Sequence, residues 1–460
     1  MFVDPVNGAR ALCEVLSKRV DFFGVAGPAM PPAAALGGLL RTGGLVLPLG
    51  YRDSYVVPVQ REMERLLALA QAGRIQMSSV EIVTGGIVQH VPDWPLAAEL
   101  RRFVAVISNL YCSFLDNARR AAARIPALAQ PLPPLAAFQH DGSSGPITIA
   151  SDLMAHYVGG SVGVVALPAT FACHPILWTT LAHETGGHDV THADAGLLDQ
   201  LAGMLPGALA PFEAECRLPP GVLVRLWTHW LDEAAADVYA IMNAGPAFVE
   251  NAVVLLAAMG GEAVPGLRAE SRAVGAGLLD PHPADILRPH IGLGAIGALE
   301  GLSSRTGAMG RITALAEGFC RAEAITLVGG LPDGSQRRSA LAAAAPREAM
   351  ARAAEAVGRM IATAVLPALG GLSIQAIETW DDADERVVST IREGLAARRS
   401  VAGLGDDAQV LAAASAAVME DAGAYDTVSG LLNEALDLSF DTDPLWGSPA
   451  PDRMYLRDRA

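Results

Sequence analysis

The chain lacks any Cys-x-x-Cys pair. Its five cysteines, Cys13, Cys112, Cys173, Cys216 and Cys320, are odd in number and widely scattered. That pattern argues against a disulfide framework and for a reducing compartment. Basic charge is also short. Lys and Arg total 33 against 49 Asp and Glu, a formal net charge of −16. A general nucleic-acid or anionic-membrane binder needs basic patches, so neither class is expected. Charged residues of either sign make up only 18%, and hydrophobic residues 51%. Both values lie on the apolar side of the usual globular balance, which excludes extensive disorder. Uninterrupted apolar runs are missing too. The nearest approach, 361–377, contains Pro367, Gly370, Gly371 and Gln375, so no transmembrane segment is expected. At the N-terminus Asp4 and Pro5 stand where a signal peptide would carry its basic and apolar regions. The composition therefore predicts a cytoplasmic protein.

What is present is mainly helix. At 460 residues the chain has room for roughly two to four domains. It shows no internal repeat. Much of the apolar excess is Ala, a strong helix former. Helices are predicted over 5–20, 54–73, 95–124, 175–190 and 222–243, and over most of the chain beyond 300, with breaks near 329–334, 367–371 and 403–405. Strands are predicted at 162–167, closed by Pro168, and as a strand or hairpin around Gly85-Gly86 in 80–91. Residues 126–145, with several prolines and then Asp-Gly-Ser-Ser-Gly, read as the best linker. The resulting division is an N-terminal mixed region 1–140, a central unit 141–300, a C-terminal helical region 301–440 and a polar tail 441–460. The fold class is α+β, mainly helical.

The chemistry concentrates in His183-Glu184-Thr185-Gly186-Gly187-His188. Zinc hydrolases often place His-Glu-x-x-His on one helix. Histidines four apart lie about 40° apart around the axis and share a metal, while the Glu acts as general base toward the attacking water. Here the spacing is one residue longer. On a regular α-helix the two side chains would diverge by about 140°. A π-type turn would bring them together, and Gly186 and Gly187 stand where that distortion falls. Without a Cβ they tolerate it. A tetrahedral site needs a third protein ligand. Glu233 supplies it, in Asp232-Glu233-Ala234-Ala235-Ala236-Asp237, with Asp237 on the same helix face to orient a ligand imidazole. A third piece, His282 followed by Arg288 in a Pro-rich segment, offers an oxyanion donor and its support.

These residues carry a resemblance. His183 to His188, with Gly187 before the second His, resembles the His-Glu-x-x-Gly-His signature of the dipeptidyl peptidase III family. Asp232-Glu233-x-x-Ala236-Asp237 resembles that family's second motif. His282-Pro283-x4-Arg288 is instead similar to the substrate-side motif of CAAX prenyl protease and HtpX-type peptidases. All fall in the gluzincin class, which implies a zincin-like catalytic core at 141–300, zinc on His183, His188 and Glu233, Glu184 as base, His282 as a catalytic donor, and Asp232, Asp237 and Arg288 around the ligands. The resemblance spans 175–288 and leaves the flanks uncovered. In zincins an edge strand just upstream holds an extended substrate, and 162–167 stands in that position, with Gly159-Gly160 to open it.

Rival readings exist for neighbouring residues. His192, four residues after His188 and close to Asp194, is an alternative ligand. Tyr239 is an alternative donor, or a core tyrosine. His174 either starts a helix or lines the cleft. Trp227 and Trp230 read as core. The predicted activity is zinc-dependent hydrolysis of a peptide bond. The alternatives are a zinc hydrolase acting on a non-peptide amide or a biosynthetic intermediate, and a gluzincin scaffold kept for binding with little turnover. The expected partner is a peptide or small amide.

Overall fold

A computed structural model describes residues 4–22, 45–123, 125, 132–139, 145–260, 265–275, 277–332, 338–447 and 453–454. It is mainly helical with small mixed sheets. In order come α1 (Pro5–Arg19), β1 (Leu47–Pro48), α2 (Val57–Gln71), α3 (Met77–Val88), α4 (Ala97–Leu115), α5 (Ala118–Ala122), β2 (Leu135–Gln139), β3 (Ile147–Ile149), α6 (Ser151–Val158) and β4 (Val164–Pro168). The central stretch holds α7 (Leu181–His183), α8 (Val190–Ala193), α9 (Leu197–Leu209), α10 (Val222–His229), α11 (Leu231–Met259), β5 (Glu270–Val274) and β6 (Leu278–Leu279). Then follow α12 (Arg288–Ile296), α13 (Arg305–Phe319), β7 (Ala324–Pro332), β8 (Arg338–Pro346), α14 (Arg347–Thr363), α15 (Ile374–Ile377), α16 (Asp382–Ala396), α17 (Asp407–Glu420), α18 (Tyr425–Thr442) and β9 (Arg453–Met454). One cluster of buried apolar side chains runs from Ala9 to Trp446.

Three strands position the site. Their order is β2-β4-β3, with β2 parallel and β3 antiparallel to β4. The strand expected at 162–167 is therefore the middle strand of this sheet. The edge is β3, whose short Ile-Thr-Ile sequence gave too little pattern to stand out. Gly163 at the start of β4 is fixed by a neighbour: a Cβ there would lie 2.3 Å from the Asp189 carboxylate.

α11 is the central scaffold. The expected helix over 222–243 is two helices, and the second continues to Met259 through a kink at Gly245-Pro246. Gly245 sits at φ 63°, and a Cβ on it would lie 2.5 Å from the Trp380 ring. Both facts require glycine there. By length and composition α11 is apolar enough to cross a membrane, with a mean hydropathy of 1.4 in its best window, but most of that window is buried inside the protein.

Other expectations need correction. Residues 80–91 are not a hairpin: α3 covers 80–88, and Gly86 serves packing, since a Cβ would meet the Tyr55 hydroxyl at 2.7 Å. The helix predicted over 95–124 breaks at Asp116, and Asn117 caps α5 by accepting from the Arg119 amide. The linker at 126–145 contains β2; 126–131 and 140–144 lie outside the described residues. The helical region beyond 300 contains the β7–β8 hairpin. There Ile325, Leu327 and Leu331 are buried on one face, with buried Ala345 across from Ile325 and buried Leu341 across from Gly329, so tertiary burial overrides the helix propensity of Ala. The tail at 441–460 begins inside α18, and β9 pairs with β1.

Candidate metal centre

The segment 175–190, expected as one helix, changes winding along its length. A 3₁₀ stretch (Pro175–Thr180) leads into α7, then a π-helix spans Glu184–Asp189 before α8. The wider turn takes in the extra residue between the histidines. His183 and His188 end with ring centroids 4.8 Å apart and planes at 88°. The glycines act differently from expectation. None of the residues across the π-turn has positive φ, so backbone freedom is not what requires them. Contact is: a Cβ on Gly187 would lie 2.6 Å from the Cα of Ala236 in α11, and one on Gly186 would lie 2.8 Å from the Asn243 amide nitrogen. The π-turn thus lies directly on the helix that carries Glu233.

That approach gathers the three expected ligands. One ligand atom from each of His183, His188 and Glu233 lies within 4.8 Å of the others. His183 Nε2 is 3.2 Å from Glu233 Oε2, and His188 Nε2 is 3.5 Å from Glu233 Oε1. In a tetrahedron with zinc–ligand bonds of ~2.0–2.1 Å, neighbouring ligand atoms are about 3.3–3.4 Å apart. Two imidazoles and a carboxylate are a donor set that such an ion accepts, and the three atoms lie within 4.8 Å of one another. Burial resists ionisation of Glu233, but His188, His282 and His183 hold its pKa well below the ordinary carboxylate value. Burial also resists a charged His188, yet Glu233 and Asp232 raise its pKa well above normal. A metal bound here would displace protons from these groups, so its affinity would fall as pH falls.

Each of the two histidines meets an acid at its Nδ1. The ring NH of His183 at Nδ1 donates to Asp237 Oδ1 at 2.9 Å, and Arg288 Nε donates to Asp237 Oδ2 at 2.9 Å. Arg288, expected both around the ligand residues and in support of His282, pairs with Asp237 and stands 3.1 Å from His183 Nδ1. Sequence spacing alone did not show which acid it would meet. His188 Nδ1 lies 3.2 Å from Asp232 Oδ1. His192 is not in the ligand group: its ring bridges Asp152 at 2.9 Å and Asp232 at 3.2 Å. Nearby Asp194 is occupied by a buried pair with Arg120.

His282 reaches the site. Its Nε2 is 3.3 Å from Glu233 Oε1. Asp280 orients it, accepting from the His282 amide at 3.0 Å and lying 2.7 Å from Nδ1. Burial disfavours a charged His282, but Glu233 and Asp280 outweigh it and raise its pKa. Asp280 was missed in the sequence, although an Asp two residues before a His is a recognisable local acceptor. Thr148 of β3 was missed too; its hydroxyl donates to Glu184 Oε2 at 2.8 Å. No sequence signal marks it. Of the remaining candidates, Tyr239, Trp227 and Trp230 are buried core residues, and Trp230 donates to the Asp280 carbonyl. His174 is 3.0 Å from the Tyr425 hydroxyl, away from the cleft.

The cleft has a volume of about 630 Å³. His183, Glu184, His282 and Arg288 open into it, Pro146 and Ile147 form one side, and α11 forms another. Comparison with known protein families, curated proteins and solved structures finds no match.

The support behind His183 is testable. Asp237→Asn keeps the shape but weakens the acceptor. Metal affinity is expected to fall about 10–100-fold, the usual effect of removing such a partner. Competition with a chromophoric chelator measures it. Unchanged affinity would show that the Asp237–Arg288 pair does not tune the ligand.

Proposed function

We propose that this protein is a zinc-dependent hydrolase with a zincin-like core, acting as a metallopeptidase of the gluzincin class. One observation carries the reading: two imidazoles and a buried carboxylate converge within 4.8 Å beside Glu184, at a cleft large enough for a small-molecule or peptide segment. His183, His188 and Glu233 would hold the zinc. Bound there, zinc lowers the pKa of water and polarises a carbonyl. Glu184 takes a proton from the attacking water and passes it to the leaving amine. His282, held by Asp280, donates to the oxyanion as charge develops on it. Thr148 fixes the Glu184 carboxylate. β3 has no strand partner on its outer side among the described residues, and Ile147 lines the cleft. An extended substrate would therefore lie along β3 rather than β4.

Metal analysis and a broad peptide-library digest test this together. About one zinc per chain is expected, with cleavage that a chelator abolishes. His188→Ala leaves two ligands, so its zinc content should collapse. Full zinc occupancy in that variant would sink the ligand assignment. A zinc-loaded wild type that cleaves no peptide would turn the reading toward a non-peptide amide or a binding role.

A further inference from the structure

The cleft has two unlike walls. Past the kink at Gly245-Pro246, α11 presents Phe248, Ala252, Leu255, Leu256 and Met259 to it. Their spacing of i, i+4, i+7, i+8 and i+11 places them on one helix face. Phe248 begins the stripe beside the metal ligands, with its ring 6.5 Å from that of His183 and nearly parallel to it. The stripe then runs outward along the cleft. The opposite wall is polar, but its cationic groups are already matched: His282 stands between Glu233 and Asp280, and both arginines are paired. Arg268 donates to Asp285 at 2.8 and 2.9 Å and faces Asp280. Arg288 is paired with Asp237. Glu184 adds a further negative charge. An anionic group next to the reacting bond would meet carboxylates there and no unmatched guanidinium among the described lining residues. An uncharged apolar group would cover the α11 stripe and remove it from water, which is favourable in proportion to the area buried. Ala252 is the smallest side chain of the stripe and lies one turn beyond Phe248, so it sets the depth available.

Resting on the metallopeptidase reading, we propose that the site selects amides with a bulky uncharged apolar side chain or acyl group beside the scissile bond. Ala252 is the residue that determines how large this group can be. The α11 stripe receives the apolar group, and the paired arginines and acid-flanked His282 leave no unmatched counter-charge for an acidic one.

Three zinc-binding hydroxamates read this without requiring turnover. They are acetohydroxamate, 4-methylpentanohydroxamate and the carboxylate-bearing succinohydroxamate, titrated calorimetrically into protein whose zinc content is measured in the same sample. The 4-methylpentanoyl compound is expected to bind at least about 10-fold more tightly than acetohydroxamate, from its added buried methylenes. The succinyl compound should gain nothing. Ala252→Trp should bring the 4-methylpentanoyl advantage close to one, and the smaller change Ala252→Leu should reduce it. Zinc-loaded wild type that binds all three equally, or prefers the carboxylate, overturns the inference and leaves the metal reading intact. A protein that takes up no zinc overturns the metal reading and the inference with it.

Discussion

Replacing Glu184 with Gln is expected to leave zinc in place and to cut turnover at least about 10²-fold, the usual scale of a general-base contribution. The variant separates two roles that lie one residue apart. His183 is in the convergent ligand group and Glu184 is not, so the metal should stay. Gln is nearly isosteric and can still accept the Thr148 hydroxyl bond, which is 2.8 Å long in the wild type. The side chain should therefore remain where it is, buried at the cleft wall. What Gln cannot do is take a proton from water. The loss should fall on kcat and kcat/KM together, because it removes an interaction made only in the transition state. Zinc content and steady-state kinetics on any substrate found by the library digest check it. Near wild-type turnover would mean that Glu184 is not the base.

The candidate ligand group was legible because its spacing is local. His183 and His188 are five apart, and Glu233 and Asp237 are four apart on a helix; spacing alone puts each pair on one face once the π-turn is allowed. The partners that orient them were less legible. Thr148 reaches Glu184 from a three-residue edge strand, and Phe248 reaches His183 only because α11 kinks and continues. Such contacts depend on how distant segments pack. The fold shows the same division. α1 was placed near its true ends, and the structure shows Asp4 capping it and Pro5 opening it. α3 was not, because eight of its twelve residues are buried and a helix buried on nearly all sides shows no 3.6-residue stripe. The β7–β8 hairpin was hidden by alanine, whose propensity says helix while the burial of Ala345 across from Ile325 says strand.

Gly187 is where local and tertiary readings meet, and its replacement is expected to be the most damaging change outside the ligands. A Cβ there would lie 2.6 Å from both Cα and Cβ of Ala236 and 2.8 Å from its carbonyl oxygen. Two of these three atoms are backbone, so no rotamer relieves the clash. The helices must move apart, and Ala236 stands between Glu233 and Asp237. Separation would pull His188 from Glu233 and His183 from Asp237 together. Gly186 differs, because its added Cβ meets mainly the end of the Asn243 side chain, at 2.8 Å. That amide donates to the Tyr239 carbonyl and its oxygen accepts from Ser113, so shifting it forfeits hydrogen bonds but leaves the helices in place. The expected order of harm is Gly187→Val, then Gly187→Ala, then Gly186→Ala. Overpacking of this kind destabilises by about 1–3 kcal/mol or more, and β-branched Val adds a stiff second methyl. Thermal unfolding and zinc content should fall in parallel for both Gly187 variants. For Gly186→Ala, zinc should be largely retained. If Gly187→Ala kept wild-type zinc affinity and melting temperature, the contact with Ala236 would not be what holds the two ligand-bearing segments together.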